Sequence, residues 1–282
     1  MVVLAGVSIR LGQLNPACGF MKDFKDKWCL VTGASSGIGE EFCRQLTARQ
    51  MNLILVARRK ERLDALAKEL RETHNIRTEV VVSDLSDPTQ AIKLFEQVGV
   101  LDISVDLLIN NAGFGLLETV GNAGPDRISE MIRLNVGSLT ELTYRFLPGM
   151  LERNSGGIIN LASVAGFQPL IHMGVYAATK AFVLHFSESL WSETRDRGVT
   201  VLALCPGFTS SEFFDIAGMH GTCRKMAQSP QQVVKACLKG LQRRRQNVVS
   251  GWTNYFVSLL PRFVTRRMAV ISSGWLMKPK NE

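Results

Sequence analysis

A glycine-rich segment that directly follows an apolar run constrains the fold of this chain more than any other feature. The run 28–32 leads into Gly33-Ala-Ser-Ser-Gly37-Ile-Gly39, and a helical pattern follows to Arg49. A glycine turn between a strand and a helix brings the first helical amides close to a ligand, and those amides favour a phosphate group. We expect Gly33 to allow the tight turn, Gly37 to admit the phosphate and Gly39 to let the helix pack closely. An ordinary tight turn is the alternative.

The same alternation of strand and helix continues to about residue 250. It predicts an α/β fold of the Rossmann-like, doubly wound kind, with one parallel sheet of about seven strands and helices on both faces. The predicted strands are 28–32, 52–57, 78–82, 105–110, 157–162, 200–204 and 247–250. One long helix is predicted over 127–150 and another over 175–196. Ligands of such folds bind at the carboxyl ends of the strands.

No linker, internal repeat or break in composition divides this region, so we predict a single domain over residues 26–251. Residues 1–25 form an N-terminal extension that fits a secretory signal poorly, because Arg10 interrupts its apolar stretch. Residues 252–282 form a basic and apolar C-terminal extension. Pro261 and three arginines interrupt it, so it does not make a convincing membrane span.

The composition excludes some classes of protein. With 282 residues, 46% of them hydrophobic and 21% charged, the chain is predicted to be globular rather than disordered. Its net charge of +8 is compatible with nucleic acid, an acidic membrane surface or a phosphorylated cofactor, but no nucleic-acid recognition motif accompanies it. Six cysteines without a CxxC pair or a histidine cluster predict neither a metal site nor a disulfide framework. This pattern is typical of a reduced, intracellular and cytoplasmic protein.

Tyr176 and Lys180 are the strongest candidates for chemistry. They lie four residues apart in Tyr-Ala-Ala-Thr-Lys, and Ser163 lies thirteen residues before Tyr176. In a helix this spacing places the phenol and the ammonium group on one face. A cation beside a phenol lowers the pKa of the phenol, and a tyrosine tuned toward neutral pH exchanges a proton with a carbonyl or an alcohol. For the pair alone, a solvated lysine over a packed tyrosine is the alternative.

Arg58 and Arg59 follow the second predicted strand, where an acidic residue would bind a ribose 2′-hydroxyl. Arginine presents a planar pair of donors to phosphate, so these residues predict a 2′-phosphate and hence NADP(H) as the cofactor. We expect Arg58 to be the main contact and Arg59 the second, with Ser35 contributing a hydroxyl group. Alternatively, the two arginines only solvate the start of the next helix.

The glycine spacing G-x-x-x-G-x-G differs from the usual dinucleotide fingerprint, and here the chain resembles the classical short-chain dehydrogenase/reductase family. The motifs that carry the resemblance occur in the family's order from about residue 26 to about residue 250. The resemblance implies a catalytic set of Asn135, Ser163, Tyr176 and Lys180. Tyr176 is then the general acid and base, Ser163 orients the carbonyl group, Lys180 also holds the nicotinamide ribose, and Asn135 holds a water that links Lys180 to solvent.

The resemblance also implies which residues contact the cofactor. Asp84 and Leu85 are expected at the adenine ring, Asn111 beside the adenosine, and the segment after Pro206 at the nicotinamide. The predicted set is Gly33, Ser35, Ser36, Gly37, Ile38, Gly39, Arg58, Arg59, Asp84, Leu85, Asn111, Ala112, Gly113, Tyr176, Lys180, Pro206, Gly207, Thr209 and Ser211.

Large apolar side chains flank these motifs and predict a pocket for a lipophilic ketone, aldehyde or secondary alcohol. The predicted substrate contacts are Ser163, Phe114, Phe167, Phe213 and Phe214. The stretch 207–229, which also includes Met219, resembles the mobile lid of the family. Ordinary core packing is the alternative for several of these residues.

We therefore predict an NADP(H)-dependent carbonyl reductase or alcohol dehydrogenase that forms a homodimer or homotetramer, as is usual in the family. A catalytically silent NADP-binding regulator on the same fold is the main alternative. The glycine spacing and the shorter C-terminal region disfavour an epimerase or dehydratase of the extended type. The C-terminal extension is interpreted either as a helix at a membrane surface or as a packing face for the pocket or a neighbouring subunit.

Overall fold

The computed structural model of the protein describes residues 23–119, 121–218 and 227–276. Nearly all of the predicted N-terminal extension, part of the predicted lid, including Met219, and the last six residues lie outside this range.

Within these ranges, seven strands form one parallel sheet, which confirms the predicted fold class. The strands are β1 (Trp28–Thr32), β2 (Asn52–Ala57), β3 (Thr78–Val82), β4 (Val105–Asn110), β5 (Gly156–Leu161), β6 (Val199–Cys205) and β7 (Asn247–Val249). The helices are α1 (Gly37–Thr47), α2 (Lys60–His74), α3 (Gln90–Val100), α4 (Pro125–Ile132), α5 (Leu139–Glu152), α6 (Gly174–Thr194), α7 (Phe213–Ala217), α8 (Pro230–Gln242), α9 (Trp252–Leu259) and α10 (Arg266–Leu276).

Helices cover both faces of the sheet because its central strands are apolar on both sides. In β2, Leu53 and Leu55 pack into the core formed with α1, α2 and α8, whereas Ile54 and Val56 pack into the opposite core formed with α3, α5 and α6. Alternate side chains of a strand point to opposite faces, so a continuous apolar run requires cover on each.

The strand order is β3-β2-β1-β4-β5-β6-β7, so the chain reverses direction across the sheet between β1 and β4. Thr32 at the end of β1 joins the two strands there. Its hydroxyl oxygen accepts hydrogen bonds from the backbone N–H groups of Asn111 at 2.9 Å and Ala112 at 3.0 Å. The Asn111 amide in turn donates to the Thr32 carbonyl oxygen at 2.9 Å. A crevice opens at such a reversal, at the carboxyl ends of the strands.

The long helix predicted over 127–150 is divided in the structure. A π-helical segment (Arg133–Ser138) separates α4 from α5, and it contains Asn135. Such a segment widens one turn of a helix and occurs most often at functional sites. A periodicity argument does not detect it, because the apolar pattern continues on both sides.

The C-terminal extension folds against the domain as α9 and α10. The Asn254 amide donates to the Gln228 side-chain oxygen at 3.2 Å, and the Ser273 hydroxyl accepts a hydrogen bond from the Ile171 N–H group at 3.1 Å. These contacts bring both helices beside the crevice.

Candidate active site

The start of α1 is shaped to hold a phosphate group. Gly33 and Gly37 have φ values of 67° and 60°, which favour glycine, and the N-terminal Ser36 makes no side-chain capping bond to the first-turn amides. A Cβ atom at Gly39 would lie 2.2 Å from the Gly33 carbonyl oxygen, so the helix approaches the turn as closely as only glycine permits. Free amides at a helix N-terminus bind phosphate, so these residues fit the pyrophosphate of a dinucleotide.

A cavity of about 450 Å³ lies along the carboxyl ends of the strands and joins most of the predicted site residues. The predicted residues that line it are Gly33, Ser35, Ser36, Gly37, Ile38, Arg58, Arg59, Asp84, Leu85, Asn111, Ala112, Gly113, Phe114, Ser163, Tyr176, Lys180, Pro206, Gly207, Thr209, Ser211, Phe213 and Phe214. One cavity therefore has both the phosphate-binding turn and the candidate proton donor in its wall.

Ser163, Tyr176 and Lys180 converge in this cavity from the turn after β5 and from α6. Ser163 follows β5, and its oxygen accepts a hydrogen bond from the Ala165 N–H group at 3.1 Å, which fixes the hydroxyl in the turn. Tyr176 and Lys180 lie in the first turns of α6. The Lys180 ammonium group donates to the Leu161 carbonyl oxygen at 2.6 Å and lies 5.8 Å from the centre of the Tyr176 ring.

The pKa values of the pair differ from the expectation for an exposed cation beside a phenol. Burial raises the pKa of Tyr176 to about 12, and a hydrogen bond from Ser163 only partly offsets this rise. Burial also lowers the pKa of Lys180 to about 8. The predicted lowering of the Tyr176 pKa by Lys180 is therefore wrong for the chain's own groups, because the ammonium group is directed to Leu161 and both side chains are desolvated. Near neutral pH the phenol is protonated and the lysine mostly charged.

Burying the charge of Lys180 makes the stability of the protein depend on pH. The folded pKa of about 8 lies below the ordinary value of 10.5, so between these pH values the unfolded chain binds a proton that the folded chain does not. The free energy of unfolding should therefore rise with pH across this window, by at most about 3 kcal/mol for a shift of this size.

A Lys180→Met variant lacks this titration, and Tyr176, which titrates at higher pH, is common to both proteins. In urea unfolding at pH 7.5, 9 and 10, the free energy of unfolding of the wild type should gain on that of the variant as pH rises. Parallel curves would contradict the desolvated lysine.

Asn135 lies behind the wall of the cavity, in the π-helical segment between α4 and α5. It is buried and does not line the cavity. Its amide donates to the Phe114 carbonyl oxygen at 2.9 Å and to the Thr179 hydroxyl at 3.1 Å, and its carbonyl oxygen accepts from the Phe114 N–H group at 3.1 Å. Because these protein groups occupy the amide, the side chain holds the loop at Phe114 against α6, and the role of Asn135 as a water ligand stays a prediction.

Phe167, which was predicted as a substrate contact, lies outside the cavity. It packs beside the buried cluster that includes Leu139, Ala162 and Val183, and it does not line the cavity. Its position soon after Ser163 suggested the pocket, but the short 3₁₀ helix (Val164–Phe167) turns its ring toward α6. Gly39, predicted at the cofactor, contacts the turn at Gly33 rather than the cavity.

The two arginines after β2 have different surroundings. Arg59 donates to the hydroxyl groups of Ser35 and Ser36 at 3.0 Å each and pairs with Glu212 at 2.8 Å. Arg58 is 61% exposed at its side chain and reaches carboxylates only at 3.8 to 3.9 Å. Arg58 therefore keeps its donors available to a ligand, whereas those of Arg59 are already engaged.

Sequence reasoning missed several residues that line the cavity. Arg127 lies over the Phe114 ring at 4.0 Å, and Val257 and Ser273 line the cavity from the C-terminal helices. Glu212 also lines it, beside the arginines. No local motif marks these positions, because they meet the site only through the packing of distant segments.

The model of the family described as short chain dehydrogenase matches residues 27–218. The chain belongs to the short-chain dehydrogenase family. This confirms the predicted family, and with it the prediction of an oxidoreductase that uses a nicotinamide nucleotide.

Curated relatives of this short-chain dehydrogenase include a protein named as a reductase and one named as inactive. The chain is 30% identical over 260 residues to a very-long-chain 3-oxoacyl-CoA reductase of Macaca fascicularis, with 86% of this chain and 78% of the relative covered. It is 28% identical to the inactive hydroxysteroid dehydrogenase-like protein 1 of Homo sapiens, over 73% of this chain. That match spans only 62% of the length of the human relative.

Solved structures share the fold over most of their length. A short-chain dehydrogenase from Sphingobium yanoikuyae, solved in complex with NADPH, is 32% identical with a TM-score of 0.75. The similarity covers 89% of this chain and 93% of that structure. Among the helices of the described residues, none is long and apolar enough to cross a membrane.

Proposed function

We propose that this short-chain dehydrogenase interconverts a lipophilic ketone or aldehyde and its alcohol with NADP(H). The observation that carries the proposal is that one cavity brings Ser163, Tyr176 and Lys180 together with the phosphate-binding turn and Arg58. The cofactor, when bound, supplies or accepts the hydride.

The chain's own residues handle the proton and the charge on the substrate oxygen. Tyr176 is protonated at neutral pH because its pKa is about 12, so it is the proton donor to a carbonyl oxygen during reduction. Ser163 donates a second hydrogen bond to that oxygen and stabilises its developing negative charge. Lys180, held by the Leu161 carbonyl oxygen, would hold the ribose of the cofactor.

The preference for NADP(H) follows from charge at the end of β2. Arg58 is exposed and only loosely paired, so its guanidinium group is suited to bind a 2′-phosphate bidentately. The NADPH complex of the Sphingobium yanoikuyae relative supports this choice.

The substrate part of the cavity is apolar. Phe114 and Phe214 are buried there, the rings of Tyr176 and Phe213 lie 5.6 Å apart, and Met173 packs beside them. A lipophilic carbonyl compound fits this wall, and the match to a very-long-chain 3-oxoacyl-CoA reductase supports including 3-oxoacyl derivatives among the candidates.

A screen of NADPH oxidation over lipophilic aldehydes, ketones, steroids and 3-oxoacyl derivatives tests the proposal. We expect turnover with at least one class. Tight binding of NADPH without turnover in any class would favour the second candidate, a silent NADP-binding regulator, which the match to an inactive human relative supports. The presence of Ser163, Tyr176 and Lys180 in one cavity argues against a catalytically silent protein.

We further propose two apolar surfaces for partners. Tyr144 and Phe182 are exposed beside Phe186 on the outer face of α5 and α6, and this face suits pairing with a second copy in a homodimer or homotetramer.

The four cysteines within the described ranges are buried and free, which supports a reducing, cytoplasmic location.

The second surface, which we call the C-terminal face, comprises α9, α10 and the turn between them. Its exposed apolar side chains include Trp252, Tyr255, Phe256, Leu260, Phe263, Met268 and Ile271. Arg262, Arg266 and Arg267 are exposed among them, and residues 252–276 contain no acidic residue. Aromatic groups beside arginines suit an anionic membrane surface, whereas pairing two such faces would bring like charges together. Because Val257 of this face lines the cavity, a lipid-bound face would also place the cavity beside the source of a lipophilic substrate.

Flotation with vesicles tests the C-terminal face. The wild type should float with vesicles of phosphatidylcholine and phosphatidylserine, and binding should fall about tenfold or more on pure phosphatidylcholine, since each arginine contributes about 1 kcal/mol near an anionic surface. A Trp252→Ser/Phe263→Ser variant should not float, because it loses two rings that are 75% and 82% exposed.

A Val100→Ser variant, which changes an 86% exposed apolar residue on α3, is the matched control and should float like the wild type. Absence of flotation, together with dissociation of the Trp252→Ser/Phe263→Ser variant to monomers in sedimentation velocity, would instead identify the C-terminal face as a subunit interface.

A further inference from the structure

Glu212 lies at a junction between the two halves of the cavity. It directly precedes α7, in the segment after β6, and its carboxylate pairs with Arg59 at 2.8 Å and with Arg62 at 2.5 Å. Both arginines belong to the junction of β2 and α2, which is 150 or more residues away in sequence. One carboxylate thus ties the segment after β6 to the cofactor side of the cavity.

The other side of the same segment contacts the candidate proton donor. Phe213 packs against the Tyr176 ring, with the ring centres 5.6 Å apart. Gly115 makes room for this contact, because a Cβ atom there would lie 3.0 Å from the Phe213 ring and 3.1 Å from the Tyr176 ring. Any movement of α7 would therefore change the wall beside the phenol.

α7 is attached at both ends, and the Glu212 carboxylate provides the attachment at its N-terminal end. Phe214 is buried, and the Leu117 N–H group donates to the Ala217 carbonyl oxygen at 3.0 Å, so the far end of the helix is held by the loop after β4. At the near end, the two ion pairs of Glu212 hold the segment to the β2–α2 junction. The two arginines hold the Glu212 carboxylate ionised and lower its pKa, Arg62 more than Arg59.

We propose that Glu212 is a positioning residue, whose ion pairs with Arg59 and Arg62 hold Phe213 against Tyr176 and so shape the substrate wall beside the proton donor. This inference rests on the proposed function. Because Arg59 also binds the hydroxyl groups of Ser35 and Ser36, the same contact joins the phosphate-binding turn to the substrate wall. Glu212 acts through Phe213 and needs no contact with the reacting atoms.

An alternative is that the Glu212 carboxylate competes with the 2′-phosphate of the cofactor for binding to Arg59 and Arg62. The two accounts differ in the sign of two single variants. If Glu212 positions α7, then Glu212→Gln and Arg62→Met break the same contact and act in the same direction. If Glu212 competes with phosphate, Glu212→Gln tightens NADPH binding, whereas Arg62→Met, which removes a positive charge, weakens it.

The first measurement is amide hydrogen exchange over residues 213–218 in the protein without added cofactor. Glu212→Gln and Arg62→Met should each accelerate exchange by about threefold to tenfold, the range for loss of partly exposed ion pairs. The double variant should match Glu212→Gln, because that substitution already removes the pair with Arg62 as well as the pair with Arg59. Glu61→Gln, which removes an exposed carboxylate from the same turn of α2 as Arg62, is the matched control and should leave exchange unchanged.

The second measurement is steady-state kinetics with a carbonyl substrate from the screen. Both variants should raise the KM of the substrate by about threefold to tenfold and lower kcat less, because the substrate wall changes while Tyr176 remains. Faster exchange with unchanged kinetics would overturn the positioning role, and unchanged exchange would overturn the contact itself. If the wild type reduces no carbonyl compound, the proposed function fails, and the exchange data still decide whether Glu212 anchors α7.

Discussion

A Tyr176→Phe variant should lose about 10²- to 10⁴-fold in kcat for carbonyl reduction, the usual contribution of a positioned general acid. The substitution removes only the phenolic oxygen, so the buried ring keeps its packing against Phe213 and Gly115. The proton that Tyr176 would donate has no equivalent source, because the Ser163 hydroxyl is a far weaker acid and Lys180 is directed to the Leu161 carbonyl oxygen. Binding of NADPH should change little.

Stopped-flow reduction of the best substrate from the screen, together with titration of NADPH by fluorescence, measures both quantities. Tyr144→Phe is the matched control, since Tyr144 is 61% exposed on α5 and does not line the cavity. It should retain full activity. If Tyr176→Phe also kept wild-type turnover, Tyr176 would not be the proton donor and the proposed mechanism would be wrong.

An Arg58→Leu variant should weaken NADPH binding by about 10- to 100-fold while changing NADH binding little. The 2′-phosphate is the only difference between the two nucleotides, and hydrogen bonds to a charged group contribute about 1.5–3 kcal/mol. Arg58 is the better choice than Arg59, because Arg59 already binds Ser35, Ser36 and Glu212 and its loss would disturb the turn.

Isothermal titration with each nucleotide gives the ratio of the two dissociation constants, which removes general effects on folding. Arg243→Leu deletes an exposed arginine at the end of α8 outside the cavity lining and should leave the ratio unchanged. An equal loss of affinity for NADPH and NADH in Arg58→Leu would mean that Arg58 contributes to cofactor binding without contacting the 2′-phosphate.

The architecture of this protein could be predicted from its sequence because the signals are local. β1 was predicted at its observed bounds and β7 within one residue, since apolar runs and glycine turns mark their ends. The order of motifs along the chain also indicated that the glycine turn, Ser163 and Tyr176 would meet, because the carboxyl ends of parallel strands share one edge of the sheet.

The structure differs from the sequence-based predictions where contacts between distant segments determine the local conformation. The π-helical turn at Asn135, the inward ring of Phe167 and the folding of α10 onto the domain each depend on neighbours distant in sequence. The pKa of Tyr176 is the clearest case. Helical spacing correctly predicted that Lys180 would lie near the phenol, but the direction of the shift was set by burial of both groups.

From the amino-acid order alone follow the doubly wound sheet, the phosphate-binding turn and the residue types of the proton-transfer group, because each depends on backbone preference or spacing within a few residues. Three features needed the tertiary structure: the engagement of Arg59 while Arg58 stays accessible, the ion pairs of Glu212 across the cavity, and the desolvation that raises the pKa of Tyr176. The physical reason is that ion pairing and desolvation depend on which surfaces meet in space, and Arg59 and Glu212, which pair across the cavity, lie 153 residues apart in the chain.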